Sequence, residues 1–459
     1  MALPTAEYLP ANPELDLGRK ARSRANELLR DFATDHTTPA VLNASNLYAD
    51  YRERGIDVEQ ALKQHSQLTP REFKQVWGIA TDYPVVRQYL ASDTWQTPQH
   101  ENRWAHATPI RDVDSLMSLG ESVNIETILI HAAHTLAIMD VYDGQSDTAY
   151  DAVVNAESVL APLCEIASFD GPAMALRSKA EIIRMRNSGL GHFVDESERI
   201  SLMYQDENGD CGPRFHHFAS CILREITGSS NLRPILGADS KHDIVLEDGF
   251  NDEKGIREIA RLKTIGMRAN KLYRSFKDNG GIMEVNLDDV GITVVAKDDE
   301  HLTQAYIDAV YSMLKSQHIT PWPSPRRKES FHIRGSSAFV EQLKAALIAR
   351  FDPAMFEFVE DDTGFHVAKM TGYYEDAAGC VPFEVQVLTQ EGRKDSRTGK
   401  SAHIFYKIMR MLGVKYVPTE EQTTRLAAFN ARRAHMGTDG LCPPSEQRFA
   451  NFIDDLGLY

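Results

Sequence analysis

Phe383-Glu384-Val385-Gln386-Val387-Leu388-Thr389 is the stretch that decides the fold. Apolar and polar residues alternate through most of it, the period of a β-strand. On a strand, Phe383, Val385 and Val387 point to one side, the core, while Glu384 and Gln386 share the other side with Leu388. A carboxylate and an amide on one face of an otherwise apolar strand suit a metal or a ligand; a solvent-exposed strand face is the plainer reading. A second strand of this kind lies within 283–296, where Leu287-Asp288-Asp289-Val290-Gly291-Ile292-Thr293-Val294-Val295 places carboxylates at the strand entrance. Two carboxylates from neighbouring strands are the usual minimal holder of Mg²⁺, which keeps water and phosphate oxygens as its other ligands. Asp-Asp before a strand is, on its own, more often a turn.

Working outward, segments 331–334, 356–359 and 365–369 also read as strands, and 301–316 and 336–350 as helices, with a further helix beginning near Ser401. Mixed strands and helices joined by hairpin-length loops predict an α+β domain packed on one sheet. A basic stretch, 254–277, reads as the helix leading into it. The N-terminal half is helical in texture. The segment 19–32 sets Leu28, Leu29 and Phe32 apart from basic residues, and Thr69-Pro70 opens a helix through Trp77, since threonine caps and proline suits the first turn. The pattern continues over 121–139 and 151–187. Residues 206–213, with DENGD, and 229–250 read as loops, and 419–459 as two polar helices split by 437–444. There is no internal repeat.

The chain has 459 residues with 50 Lys plus Arg against 66 Asp plus Glu, a formal charge of −16. This length suggests about three domains. The negative balance argues against a passive binder of nucleic acid or anionic membrane, though not against a local basic pocket for a polyphosphate. Five scattered cysteines without a CxxC pair argue against a disulfide framework or a cysteine zinc site and favour reduced thiols in a cytoplasm. Residues 1–10 carry no basic-then-apolar signal. The longest apolar run, 125–139, is too short for a membrane span and reads as a buried helix. His131 and His134 share a face of that helix, where core histidines are the more frequent outcome. His216 and His217, being adjacent, are given no metal role.

Three further clusters carry chemistry. Arg261, Lys263 and, about two helical turns on, Lys271 offer cations for phosphates, or form a solvated basic helix. Lys369-Met370-Thr371-Gly372-Tyr373 combines a cation, a tight turn and a flat ring on which a base can stack. His403-Ile404-Phe405-Tyr406-Lys407 opens the helix after the glutamate strand. The order of these motifs is more specific than any one of them. Arg-x-Lys-Thr with a lysine eight residues on, Asp-x-x-Gly-Ile, Lys-x-x-Gly-Tyr, Glu-x-Gln-x-x-Thr and His-x-x-Tyr-Lys, over about 255–410, resemble the RelA/SpoT alarmone synthetase domain.

That resemblance implies a nucleotidyltransferase-like mixed sheet flanked by helices. It implies transfer of the β,γ-pyrophosphate of ATP to the 3′-hydroxyl of GDP or GTP, giving (p)ppGpp, with Mg²⁺. Arg261, Lys263 and Lys271 would hold the ATP phosphates, Asp288 the metal, and Glu384 the metal or the ribose hydroxyl. Tyr373 would stack on guanine and Lys369 touch its phosphates, with Gln386, His403 and Lys407 lining the nucleotide site. The chain departs from the family pattern at Thr293 and Leu388, where arginines are usual, and at Tyr374-Glu375-Asp376-Ala377-Ala378. An insertion is expected around 320–350. A working transferase and a nucleotide-binding pseudo-synthetase therefore both stay open, as do a tRNA 3′ end as acceptor and a homo-oligomer. Within 101–230 a degenerate HD-hydrolase-like helical region is expected, with Ala132 where the family's metal-binding aspartate follows a histidine. The implied division is a helical region (1–100), the hydrolase-like region (101–250), the synthetase-like domain (251–417) and C-terminal helices (418–459).

Overall fold

The computed structural model describes residues 13–32, 39–54, 69–91, 103–104, 112–142, 144, 146–167, 169–205, 211–228, 233–234, 245–247, 256–281, 288–322, 329–361, 366–398, 404–405 and 417–432. The N-terminal half is helical: α1 (Pro13–Phe32), α2 (Pro39–Arg54), α3 (Pro70–Thr81), α4 (Tyr83–Ala91), α5 (Val113–Ser122), α6 (Ile125–Val141), α7 (Asp147–Asn155), α8 (Ala161–Ile166), α9 (Asp170–Asn187) and α10 (Gly191–Ser201). The start of α3 follows from its cap. The Thr69 hydroxyl accepts from the Glu72 amide at 3.3 Å, and the Glu72 carboxylate accepts from the Thr69 amide at 2.9 Å, with Pro70 at the first helical position. Helix α6 is buried on nearly all sides, as its continuous apolar run requires. No helix among the described residues is long and apolar enough to cross a membrane.

Helix α11 (Gly212–Thr227) then leads into one mixed sheet: β1 (Arg233–Pro234), β2 (Val245–Glu247), β3 (Ile256–Leu262), α12 (Ile265–Asp278), β4 (Val290–Ala296), α13 (Asp299–Lys315), β5 (Ile319–Pro321), β6 (Phe331–Gly335), α14 (Ser337–Ile348), β7 (Phe356–Glu360), β8 (Val367–Asp376), β9 (Gly379–Thr389) and α15 (Gln390–Thr398). The strand order is β1-β2-β3-β4-β9-β8-β6-β7, with β5 also on β8. The chain is thus α+β, helical first and then a mixed sheet with flanking helices. The stretch 254–277 is not one helix. Its first part is β3, which pairs antiparallel with β4 along its length. The reason is local alternation: Ala260 and Leu262 are buried while Arg261 between them is exposed. The helix waits for Thr264, whose hydroxyl accepts from the Met267 amide. The strands expected at 365–369 and 383–389 are, over the described residues, arms of one long hairpin, β8–β9. The segment 320–350 supplies most of β5 and all of β6 and α14, so it widens the sheet at the β8 edge.

Two large cores result. The helical half has its own, which also takes in Ile404 and Phe405, and Leu426 and Phe429 of the C-terminal helix α16 (Glu420–Arg432). A Cβ on Gly120 would stand 2.7 Å from the Phe429 ring, so α16 lies tight on α5. The second core lies under the sheet and includes Phe215, Phe218, Ile222 and Leu223 of α11, which precedes the boundary expected near 250. A small third cluster joins the halves: Met185, Phe193 and Val194 from α9 and α10 against Ala269 and Leu272 of α12. At this joint a Cβ on Gly266 would come within 2.2 Å of the Ser178 carbonyl oxygen, so only glycine permits the contact.

Candidate functional site

The two faces of the sheet differ. Ala260, Ile292, Val385, Met370 and Phe331 form one row across β3, β4, β9, β8 and β6, all buried against the helices beneath. On the other face, Arg261, Gly291, Glu384 and Thr371 lie side by side in register. The next row on that face is Ile259, Thr293, Gln386, Lys369 and His332. Parity alone produces this: one face holds the apolar residues the core needs, and the other gathers polar side chains from five strands. Towards the far end α15 packs across β4 and β9, and Leu388 is buried there.

The absent side chain of Gly291 is filled by its neighbour. A Cβ there would stand 3.3 Å from Arg261 Nε, so the arginine lies flat over the glycine, beside Glu384 in the adjoining strand. At the β4 entrance, Asp288 carries two ammonium groups, Lys263 on Oδ2 and Lys271 on Oδ1. Lys263 comes from the turn after β3 and Lys271 from α12. Burial alone would raise the Asp288 carboxyl, but the two lysines outweigh it and hold it well below the usual carboxylate range. Lys263 is lowered to about 8, chiefly by burial, with Lys271 adding repulsion and Asp288 opposing. The cluster has two cations to one anion and is partly open, with 40% of the Lys271 side chain and 27% of that of Asp288 exposed.

What aims this cluster is the neighbouring aspartate. Asp289 Oδ1 accepts from Arg268 Nε at 2.8 Å, and both side chains are buried. Arg268 also donates to the Ser201 hydroxyl at 2.7 Å, the Ser197 carbonyl at 3.1 Å and the Lys263 carbonyl at 3.1 Å. The Lys263 amide in turn donates to the Asp289 carbonyl at 2.9 Å. Helix α10, α12 and the two turns holding Lys263 and Asp288 are therefore tied at one guanidinium. Neither Arg268 nor this role of Asp289 stood out in the sequence, because a buried arginine looks like any other cation of a basic stretch.

Glu384 faces Lys369, whose Nζ is 3.5 Å from Oε1, and the Gln386 amide also donates to that oxygen. Tyr373 shares the parity of Lys369 and Thr371 on β8, and its ring lies 5.8 Å from that of Trp322, edge to face. Trp322 is half exposed and sits where β5 ends, donating its amide to the Thr371 carbonyl and accepting the Thr371 hydroxyl at 2.6 Å. Trp322 escaped the sequence reading; its partner at 373 is reached only through β5–β8 pairing. The glycine between Thr371 and Tyr373 is also explained: a Cβ on Gly372 would meet the Thr320 carbonyl at 2.7 Å. His403 and Lys407 lie outside the described residues; Ile404 and Phe405 between them are buried in the core of the helical half.

Asp288 lies two residues before β4, and Glu384 lies on β9, the parallel neighbour of β4, where it pairs with Gly291. Carboxylate oxygens are the hard donors that Mg²⁺ takes, and here each carboxylate is engaged by lysine, Asp288 by Lys263 and Lys271 and Glu384 by Lys369. Thr293 stands beside Gln386 on the same face. In the helical half, His131 and His134 are core residues packed on the Tyr48 ring at 4.4 and 4.7 Å, and His134 Nε2 is 3.0 Å from the Ser45 hydroxyl. Neither a protein-family model nor a curated protein matches this sequence.

Proposed function

We propose that the chain is a divergent RelA/SpoT-type pyrophosphotransferase with a nucleotidyltransferase-like sheet, acting in a cytoplasm on ATP and a guanine nucleotide. The observation that supports it best is the shared sheet face: Arg261 over Gly291, Glu384 in register beside it, Lys369 and Tyr373 on the next strand, and the Lys263–Asp288–Lys271 cluster at its end. Transfer of pyrophosphate needs neutralised charge and alignment more than covalent help. In this reading Lys263, Lys271 and Arg261 grip the triphosphate, and Tyr373 offers its ring to the guanine. Glu384 orients the 3′-hydroxyl and takes its proton as that oxygen bonds to the β-phosphorus and AMP leaves. Asp288 and Glu384 would hold Mg²⁺, which supplies charge neutralisation on the phosphates. With phosphates paired to the lysines in their place, Asp288 and Glu384 would be available to hold that ion.

Incubating the pure chain with ATP, Mg²⁺ and GDP or GTP tests this. The expected products are guanosine tetra- or pentaphosphate and an equal amount of AMP, resolved by ion-exchange chromatography, and Glu384→Gln removes both. No product from the native chain, with Glu384→Gln indistinguishable from it, overturns the reading. A second reading, a nucleotide-binding pseudo-synthetase, is favoured by the ion pairs on both carboxylates and by Leu388, which is buried where the family has an arginine. Calorimetric binding of ATP without turnover on any acceptor, a tRNA 3′ end included, selects it.

A further inference from the structure

On the buried side of the sheet, away from the face just described, α11 meets the tip of the β8–β9 hairpin. Among the described residues, the one group of three or more side chains placed to share a metal ion is His217, Cys221 and Asp376. His217 and Cys221 are one helical turn apart on α11 and so project side by side. Asp376 ends β8. His217 Nε2 is 2.8 Å from Asp376 Oδ2, Cys221 Sγ is 3.9 and 4.0 Å from the two ring nitrogens, and the three ligand atoms lie within 4.8 Å of one another.

We propose that His217, Cys221 and Asp376 form a Zn²⁺ site with a fourth, solvent-facing position. Three observations carry it. First, the donor set is imidazole, thiolate and carboxylate, the three ligand types zinc uses. In a tetrahedral zinc site neighbouring ligand atoms stand about 3.3–3.5 Å apart, so closure needs shifts of roughly 0.5–1.3 Å. Second, the sulfur is almost equidistant from both imidazole nitrogens. A turn of the imidazole brings one of these nitrogens beside the sulfur, so the two side chains need little movement to flank one ion. Third, the carboxylate is held from behind. Asp376 Oδ1 accepts from the Ala378 amide at 2.7 Å, and Oδ2 accepts from the Tyr374 hydroxyl at 3.2 Å. Such outer partners orient metal ligands. His217 is nearly half exposed, which leaves the fourth position to water. Binding expels the thiol proton to solvent as Sγ becomes the thiolate ligand. The adjacency of His216 and His217 has no bearing on this, because the partner of His217 is one turn on and the third ligand comes from a distant strand.

The test uses the full chain, stripped with chelator and reloaded with Zn²⁺ or with Co²⁺ as its spectroscopic stand-in. One Zn²⁺ per chain is expected by elemental analysis, and the Co²⁺ form shows a thiolate-to-metal charge-transfer band that Cys221→Ser removes. Cys221→Ser and His217→Ala each lower Zn²⁺ affinity at least about tenfold, and Tyr374→Phe lowers it less. His217 is exposed enough that its alanine variant keeps the fold, which circular dichroism checks. Native chain that takes up no Zn²⁺ overturns the proposal. So does stoichiometric Zn²⁺ that survives both Cys221→Ser and His217→Ala. Pyrophosphate transfer is read separately, so loss of one activity does not decide the other.

Discussion

Asp288 and Asp289 are neighbours in sequence and opposites in structure. Asp289 is buried with one arginine whose other donors are used by Ser197, Ser201 and the Lys263 carbonyl. Asp288 is partly open and carries two lysines. A closed, neutral, fully bonded pair has nothing left to offer a ligand and holds parts together. An open cluster with one cation in excess has charge to spend on an anion. One residue of register separates a fastening from a candidate phosphate site, and the fastening is what aims the site.

The largest effect is expected at the closed pair. Arg268→Ala leaves Asp289 buried without its partner and is expected to cost about 3–5 kcal/mol, read by urea unfolding. Asp288→Asn should cost less than Asp289→Asn in the same assay; the reverse order would assign the structural role to the wrong aspartate. Next in size, Glu384→Gln should cut pyrophosphate transfer by at least about 10²-fold with little change in unfolding midpoint, measured by product formation and melting together. A third change acts on the joint between the halves. Gly266→Ala drives a methyl into the Ser178 carbonyl, and repacking should cost about 1–3 kcal/mol by unfolding and weaken ATP binding by displacing Lys271. Unchanged stability would mean that α12 shifts freely on α9.

What the sequence disclosed follows the same division. Strand faces were legible at Phe383 to Thr389, because period-two alternation survives wherever one side is core. Cap chemistry revealed the α3 start at Thr69. The stretch 254–277 misled because its charges are spread through both a strand and a helix; only Ala260 and Leu262, with Thr264 as a cap, mark the change. Residues joined by long-range pairing were not legible. Trp322 meets Tyr373 through β5, Arg268 meets Ser197 and Ser201 from another helix, and His217 meets Asp376 across the domain. Local pattern predicts which face a residue takes, not which distant element arrives there.

The smallest effect is also the most diagnostic. Lys263 is lowered to about 8, mainly by burial. An unfolded lysine keeps its proton to about 10.4. Between these values the unfolded chain holds a proton that the folded chain has released, so this residue's contribution to stability rises with pH through the window and is constant below it. Nucleotide binding should run the other way. Above about pH 8 the free protein must recapture that proton to grip a phosphate, and ATP affinity should fall by up to about tenfold per pH unit. Calorimetry with ATP alongside urea unfolding, from about pH 7.5 to 9.5, checks both slopes. Lys263→Arg keeps its charge throughout and should flatten both. If the affinity slope persists in Lys263→Arg, another group governs it. If stability falls through the window in the native chain, Lys263 is not the buried cation of an anion site, and the contrast between the two aspartates loses its functional half.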